Sequence, residues 1–132
     1  MPKSALHKYL APIAVIFSLS IGVRLIAQDS IPEPTQNTAV PYRMFRSQNI
    51  YTLLKLDTRS GQVWQVQWGT EDGYRWVQPI NLKPLADGGK VGLFTLYPTQ
   101  NIYTFILLDQ DDGRTWQVQW GKEGERFIVP IG

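Results

Sequence analysis

Apolar and polar residues alternate one for one along Val63-Trp64-Gln65-Val66-Gln67-Trp68, and the alternation returns at Thr115-Trp116-Gln117-Val118-Gln119-Trp120. A period of two marks a β-strand with two unlike faces, and no useful length of chain after residue 41 carries the 3.6-residue period of an amphipathic helix. Each alternating stretch follows a mainly apolar one, Tyr51 to Leu56 or Tyr103 to Leu108, across Asp57-Thr58-Arg59-Ser60-Gly61 or Asp109-Gln110-Asp111-Asp112-Gly113. In such a turn the Asp carboxylate can accept backbone N–H groups ahead of it, and Gly can take the positive φ of a bulged hairpin. Closing the first hairpin with Asp57 opposite Gln62 pairs Leu56 with Val63, Lys55 with Trp64, Leu54 with Gln65, Leu53 with Val66, Thr52 with Gln67 and Tyr51 with Trp68.

The two hairpins are copies. Residues 49–69 recur at 101–121 with 13 of 21 positions identical, at a constant offset of 52. After a one-residue deletion, Gly73 to Ile80 matches Gly124 to Ile131. A further strand precedes each hairpin, at 42–46 and 93–97, and another follows it, at 74–80 and 125–131. Each repeat thus reads as a four-stranded meander: repeat one 42–80, repeat two 92–131, and between them a connection, 81–91, containing Pro84 and Gly88-Gly89. Register divides each hairpin into an aromatic face, with Tyr51, Trp64 and Trp68 or Tyr103, Trp116 and Trp120 as expected core, and a polar face with Gln65 and Gln67 or Gln117 and Gln119. The predicted fold is all-β, with two tandem antiparallel meanders packed face to face as a pseudo-twofold sandwich or flattened barrel. The alternative is a pair of propeller-blade-like repeats completed by oligomerisation, since two blades cannot close a ring.

The N-terminal segment changes the picture of address. Lys3, His7 and Lys8 precede an apolar run from Tyr9 to Val23, and Leu25-Ile26-Ala27 stands before the polar Gln28-Asp29-Ser30. Residues 1–27 therefore read as a signal peptide or signal anchor forming an N-terminal helix, followed by a Pro-rich linker, 28–41, and the duplicated domain, 42–132. The predicted location is periplasmic or at the cell surface, tethered to the inner membrane through residues 10–27 if the segment is retained. With Lys3, Lys8 and Arg24 set aside, ten of the 13 basic side chains face all 11 acidic ones, so the domain is near neutral and lacks the clustered cations that nucleic acid requires.

The stretch LDTRSGQVWQV resembles the LDT-R-[ST]-G-x-x-W hairpin of small exported bacterial proteins of uncharacterised function. Leu56-Asp57-Thr58-Arg59-Ser60-Gly61 with Trp64 carries the likeness, and Leu108 to Gly113 with Trp116 carries a looser version. The resemblance implies a bacterial, exported protein, and it brings no catalytic residue, cofactor or ligand.

The chemistry on offer is narrow. His7, the only histidine, lies in the leader, and there is no cysteine, so Ser-His, Cys-His and imidazole or thiolate metal sites are excluded from the domain. No cofactor is expected. Glu71, Asp72 and Glu123 in turns are the remaining candidates for a carboxylate-dependent glycan hydrolase, while Asp57 and Asp109 are explained by turn capping. Asp109, Asp111 and Asp112 before Gly113 depart from the spacing of a calcium loop and read as a solvated acidic turn. The expected function is a non-enzymatic binding or scaffolding module that holds a protein or glycan of the cell envelope. Its partner face would be Gln65, Gln67, Gln117 and Gln119 flanked by Trp76 and Phe127. The second reading is a self-assembling structural subunit of the envelope, a homo-oligomer.

Overall fold

The computed structural model describes residues 39–132; the expected leader and the linker up to residue 38 lie outside the described residues. Eight strands follow in order: β1 Tyr42–Arg46, β2 Thr52–Asp57, β3 Val63–Gln67, β4 Trp76–Pro79, β5 Phe94–Pro98, β6 Thr104–Asp109, β7 Thr115–Gln119 and β8 Phe127–Ile131. They form two four-stranded antiparallel sheets in which each strand lies beside its sequence neighbour. One short 3-10 turn, Asp72–Tyr74, leads into β4.

The central hairpins have the register that the alternation requires, from Leu56 opposite Val63 to Thr52 opposite Gln67, repeated from Leu108 opposite Thr115 to Thr104 opposite Gln119. Their turns hold by the same local bonds. The Asp57 carboxylate accepts the Arg59 N–H at 3.0 Å, and the Asp109 carboxylate accepts those of Asp111 and Asp112 at 2.9 and 3.2 Å. Gly61 and Gly113 close the turns at φ 75° and 79°. The two glycines differ in surroundings, because a Cβ on Gly61 would meet the Phe94 ring at 3.1 Å and Leu85 at 3.2 Å, whereas one on Gly113 would meet nothing. Replacing Gly113 by Ala is therefore expected to cost the about 1–2 kcal/mol of left-handed backbone alone. Gly61→Ala should cost measurably more in the same urea titration; equal losses would show that the first turn is not packed against β5.

Which face of each sheet is buried departs from the twofold expectation. In the first sheet Thr52, Leu54, Leu56, Val63 and Gln65 are buried, while Leu53, Lys55, Trp64 and Val66 are only half-buried. In the second sheet the opposite face is inside: Phe94, Leu96, Phe105, Leu107, Trp116, Val118 and Trp120 are buried, while Ile106, Leu108, Thr115 and Gln117 are half-buried. A twofold axis would bring equivalent residues of both copies to the interface. Instead the inner face of the first sheet corresponds, position by position, to the outer face of the second. The contacts across the seam are likewise one-way: the Gln48 side chain donates to the carbonyls of Thr99 and Gln100, the latter its own counterpart. A translation-like stacking of one sheet on the next gives this pattern, and a reciprocal pairing does not.

Thr58 pins the seam. It is fully buried, its N–H donates to Pro41 O at 2.7 Å, and its carbonyl accepts the Phe94 N–H at 2.9 Å. Its hydroxyl donates toward the carbonyls of Val40 and Pro41 and accepts the Gly92 N–H at 3.1 Å. The second residue of the first turn thus ties β1, β2 and β5 together. Its counterpart Gln110, exposed in the second turn, repeats the backbone bond, to Leu93 O at 2.8 Å, and makes a side-chain bond, from its amide N–H to Gly92 O at 2.9 Å, but ties in no further sheet among the described residues.

Candidate functional site

Among the described residues no second sheet covers the outer face of the first, which carries Tyr42, Tyr51, Trp64 and Trp68. Tyr51 and Trp68, joined across the hairpin end with ring centroids 5.3 Å apart, are 46% and 45% exposed. The Trp68 indole N–H is held by Ile50 O at 2.7 Å, which fixes the ring without covering it. Lower on the face, Trp64 lies 6.4 Å from Tyr42 and beneath the Lys55 ammonium at 4.7 Å. The upper end opens into a pocket of about 390 Å³ lined by Tyr51, Gln67, Trp68, Gly69, Thr70, Glu71 and Tyr74.

The second repeat shows the same tryptophans closed. Tyr103 and Trp120 meet at a tilt with ring centroids 4.9 Å apart, and the Trp120 indole donates to Ile102 O at 2.8 Å. Here the first sheet lies on top, so Trp116 and Trp120 are 6% and 5% exposed. Gln65 is the side chain that fills the seat: its amide oxygen accepts the Gly121 N–H and the Arg126 Nε–H, each at 3.1 Å, and Arg126 also lies 5.1 Å over the Trp76 ring. Arg126 Nε–H reaches Gly121 O at 3.1 Å as well, so the joint is fully hydrogen-bonded.

Three expectations are corrected by this geometry. The four glutamines do not share one wet face. Gln65 is 2% exposed between the sheets, and Gln67 accepts the Thr52 hydroxyl at 2.8 Å, whereas Gln117 and Gln119 lie half-buried on the outside of the second sheet. Gln119 is engaged by the Thr104 hydroxyl at 3.0 Å. The flanking aromatics separate in the same way, Trp76 half-buried beneath Arg126 and Phe127 exposed. Nor are Tyr51, Trp64, Trp68 and Tyr103 core residues: the first three lie on the outer face of the first sheet, Trp64 half-buried there, and Tyr103, 44% exposed, forms the rim above Trp120. The physical cause is common to all three, because sheets that bury opposite faces give equivalent residues opposite environments.

The acidic turn also acquires a role. Asp111 pairs with Lys90 at 2.7 Å and Asp112 with Arg114 at 2.6 Å, so these carboxylates brace the turn against its neighbours. Among the described residues no three His, Cys, Asp or Glu side chains gather as a metal site would need. At Asp57 burial pushes the carboxyl pKa up, but the Arg59 guanidinium and backbone N–H outweigh it, and the net shift is downward. A folded pKa below the unfolded one stabilises the fold above the ordinary carboxylate range and is lost as pH falls through the folded value. Stability is therefore expected to drop below about pH 4, and Asp57→Asn should flatten that part of the profile in pH-resolved thermal melts. An unchanged slope would remove Asp57 as a source.

Compared with known proteins, the chain matches no family model, no curated protein and no solved structure.

Proposed function

We propose that this chain is an exported, non-enzymatic contact module whose working surface is the outer face of its first sheet. One observation carries the reading: Trp68 is exposed and Trp64 half-buried at positions where the second copy of the same sequence has Trp120 and Trp116 under a sheet. A large aromatic such as Trp68, held by a fixed hydrogen bond yet left largely in water, is what anchors a protein contact. Export is supported by the charged and apolar pattern of residues 1–27. The sheets fit the description of two consecutive propeller-like blades better than a twofold sandwich, since the face that the first buries against the second is the one that the second leaves outside.

A photo-crosslinking amino acid placed at Trp68, in cells that make the protein natively, tests the reading. The expected result is an adduct of defined mass from Trp68 that is missing from the same substitution at Lys83, in the exposed connection between repeats. No adduct from Trp68, or an identical pattern from Lys83, would overturn it.

A further inference from the structure

The outer face of the first sheet has a counterpart on the molecule itself. We propose that it is covered by a second copy of this chain, joined head to tail, whose second sheet lays its outer face there. The inference rests on the contact-module reading and names its partner.

The joint between chains would repeat the joint already present within each chain. Inside the chain, the first sheet offers Gln65 and Trp76, and the second sheet receives them with the Gly121 N–H and Arg126. The repeat correspondence puts Gln117 and Phe127 in the offering position on the outside of the second sheet, and Gly69 and Arg75 in the receiving position on the outside of the first. All four parts are present and available. Gln117 and Phe127 are half-buried and exposed, and among the described residues the Arg75 side chain is paired only with the neighbouring, almost fully exposed Asp72, a surface pair that yields readily to a better one. The pocket of about 390 Å³ beside Trp68, Gly69 and Tyr74 is the seat that Gln65 fills at Gly121 in the internal joint.

Apolar patterning points the same way. An antiparallel sheet with one wet face keeps that face polar. The outer face of the second sheet instead carries Ile106 and Leu108 at its centre, with Tyr97, Phe127, Val129 and Ile131 exposed around them. These are the counterparts of Leu54, Leu56, Phe45, Trp76, Gln78 and Ile80 in the first sheet; Leu54, Leu56 and Ile80 lie in the core, with Phe45 packed against it. The discordant substitutions are Arg46 and Lys55 on the receiving face, where the second sheet has Pro98 and the buried Leu107, and Thr115 on the offering face, where the first has the buried Val63. A cation at the middle of the receiving face weakens the joint between chains relative to the joint within one, so association depends on concentration. Because the two surfaces differ, the contact is heterologous and propagates until a ring closes or a filament grows. With two blades per chain, a ring of the usual roughly four to eight blades takes about two to four chains.

Native mass measurement on the full-length chain and two surface variants tests this. Val66→Arg spoils the receiving face and Ile106→Arg the offering face. The wild type should pass from monomer to a closed oligomer or filament as concentration rises, each variant alone should stay monomeric, and an equal mixture of the two should recover a dimer and nothing larger. A wild type that stays monomeric throughout overturns the proposal. So does an Ile106→Arg variant that still dimerises, since the receiving face would then pair with itself. If circular dichroism shows either Arg variant unfolded, Arg75→Ala and Gln117→Ala, both at surface positions, should each weaken wild-type association at least tenfold, and full association in both would overturn it. The crosslink at Trp68 separates the two levels. An adduct with a foreign protein alone sinks the self-association and leaves the contact module standing, whereas no adduct of any mass sinks the contact module.

Discussion

Truncating Trp116 to Ala is expected to cost about 3–5 kcal/mol, the range for a core aromatic, whereas truncating the half-buried Trp64, its sequence-identical counterpart, should cost clearly less, about 1 kcal/mol, the centre of the range for single substitutions. Trp116 lies 5.9 Å from the buried Phe94 ring, beneath the first sheet, and its removal leaves a cavity that neighbouring strands cannot close. Trp64 has Tyr42 and the Lys55 ammonium against it and solvent beyond. Urea titration of the two variants at a concentration where the chain is monomeric measures the difference. Equal losses would mean that both tryptophans are buried alike, as a twofold sandwich requires.

The second large effect separates two identical glutamines. Gln65→Lys places a cation at a buried site already occupied by Arg126 and leaves the Gly121 N–H without its acceptor. An uncompensated buried charge costs about 3–5 kcal/mol, a large share of the roughly 5–15 kcal/mol that holds an ordinary domain folded. Gln117→Lys puts the same charge on the outside of the second sheet, where the ammonium reaches water, and the melting temperature should move little. Gln65→Met, which keeps the volume and removes both bonds, is expected to fall between them, at about 1–3 kcal/mol for the stranded donors. A Gln65→Lys variant as stable as wild type would show that the seam between the sheets is open to solvent.

Register, turns and strand order were legible in the sequence because each is written locally. Alternation through Trp64-Gln65-Val66-Gln67-Trp68 sets which side chains share a face, and the Asp57 carboxylate with the Gly61 backbone sets where the chain reverses. Which face lies inside was not legible from these signals. The run Trp-Gln-Val-Gln-Trp is the same in both repeats, yet in the first copy Gln65 is buried, Trp64 half-buried and Trp68 exposed, and in the second both tryptophans are buried. Burial there is decided by order along the chain: each sheet has one neighbour, on opposite sides. Two quieter signals did exist. Leu53-Leu54 and the unbroken Phe105-Ile106-Leu107-Leu108 put apolar side chains on both faces of β2 and β6, which a sheet with one wet face does not do, and Lys55 against Leu107 marks the first aromatic face as the one not packed within the chain. The structural weight of Thr58 had no signal at all, because its partners at residues 40, 41, 92 and 94 come from remote segments that only the stacking brings together.

The most direct test of opposite-face stacking is oxidative footprinting of all five tryptophans at residue resolution, run across a dilution series and read by mass spectrometry. In the dilute monomer Trp68 should be oxidised rapidly, Trp64 and Trp76 at intermediate rates, and Trp116 and Trp120 slowly. As concentration rises, protection should spread to Trp68 and Trp64 while Trp116 and Trp120 stay as they were. Equal rates at Trp64 and Trp116 and at Trp68 and Trp120 in the monomer would contradict the stacking of unlike faces.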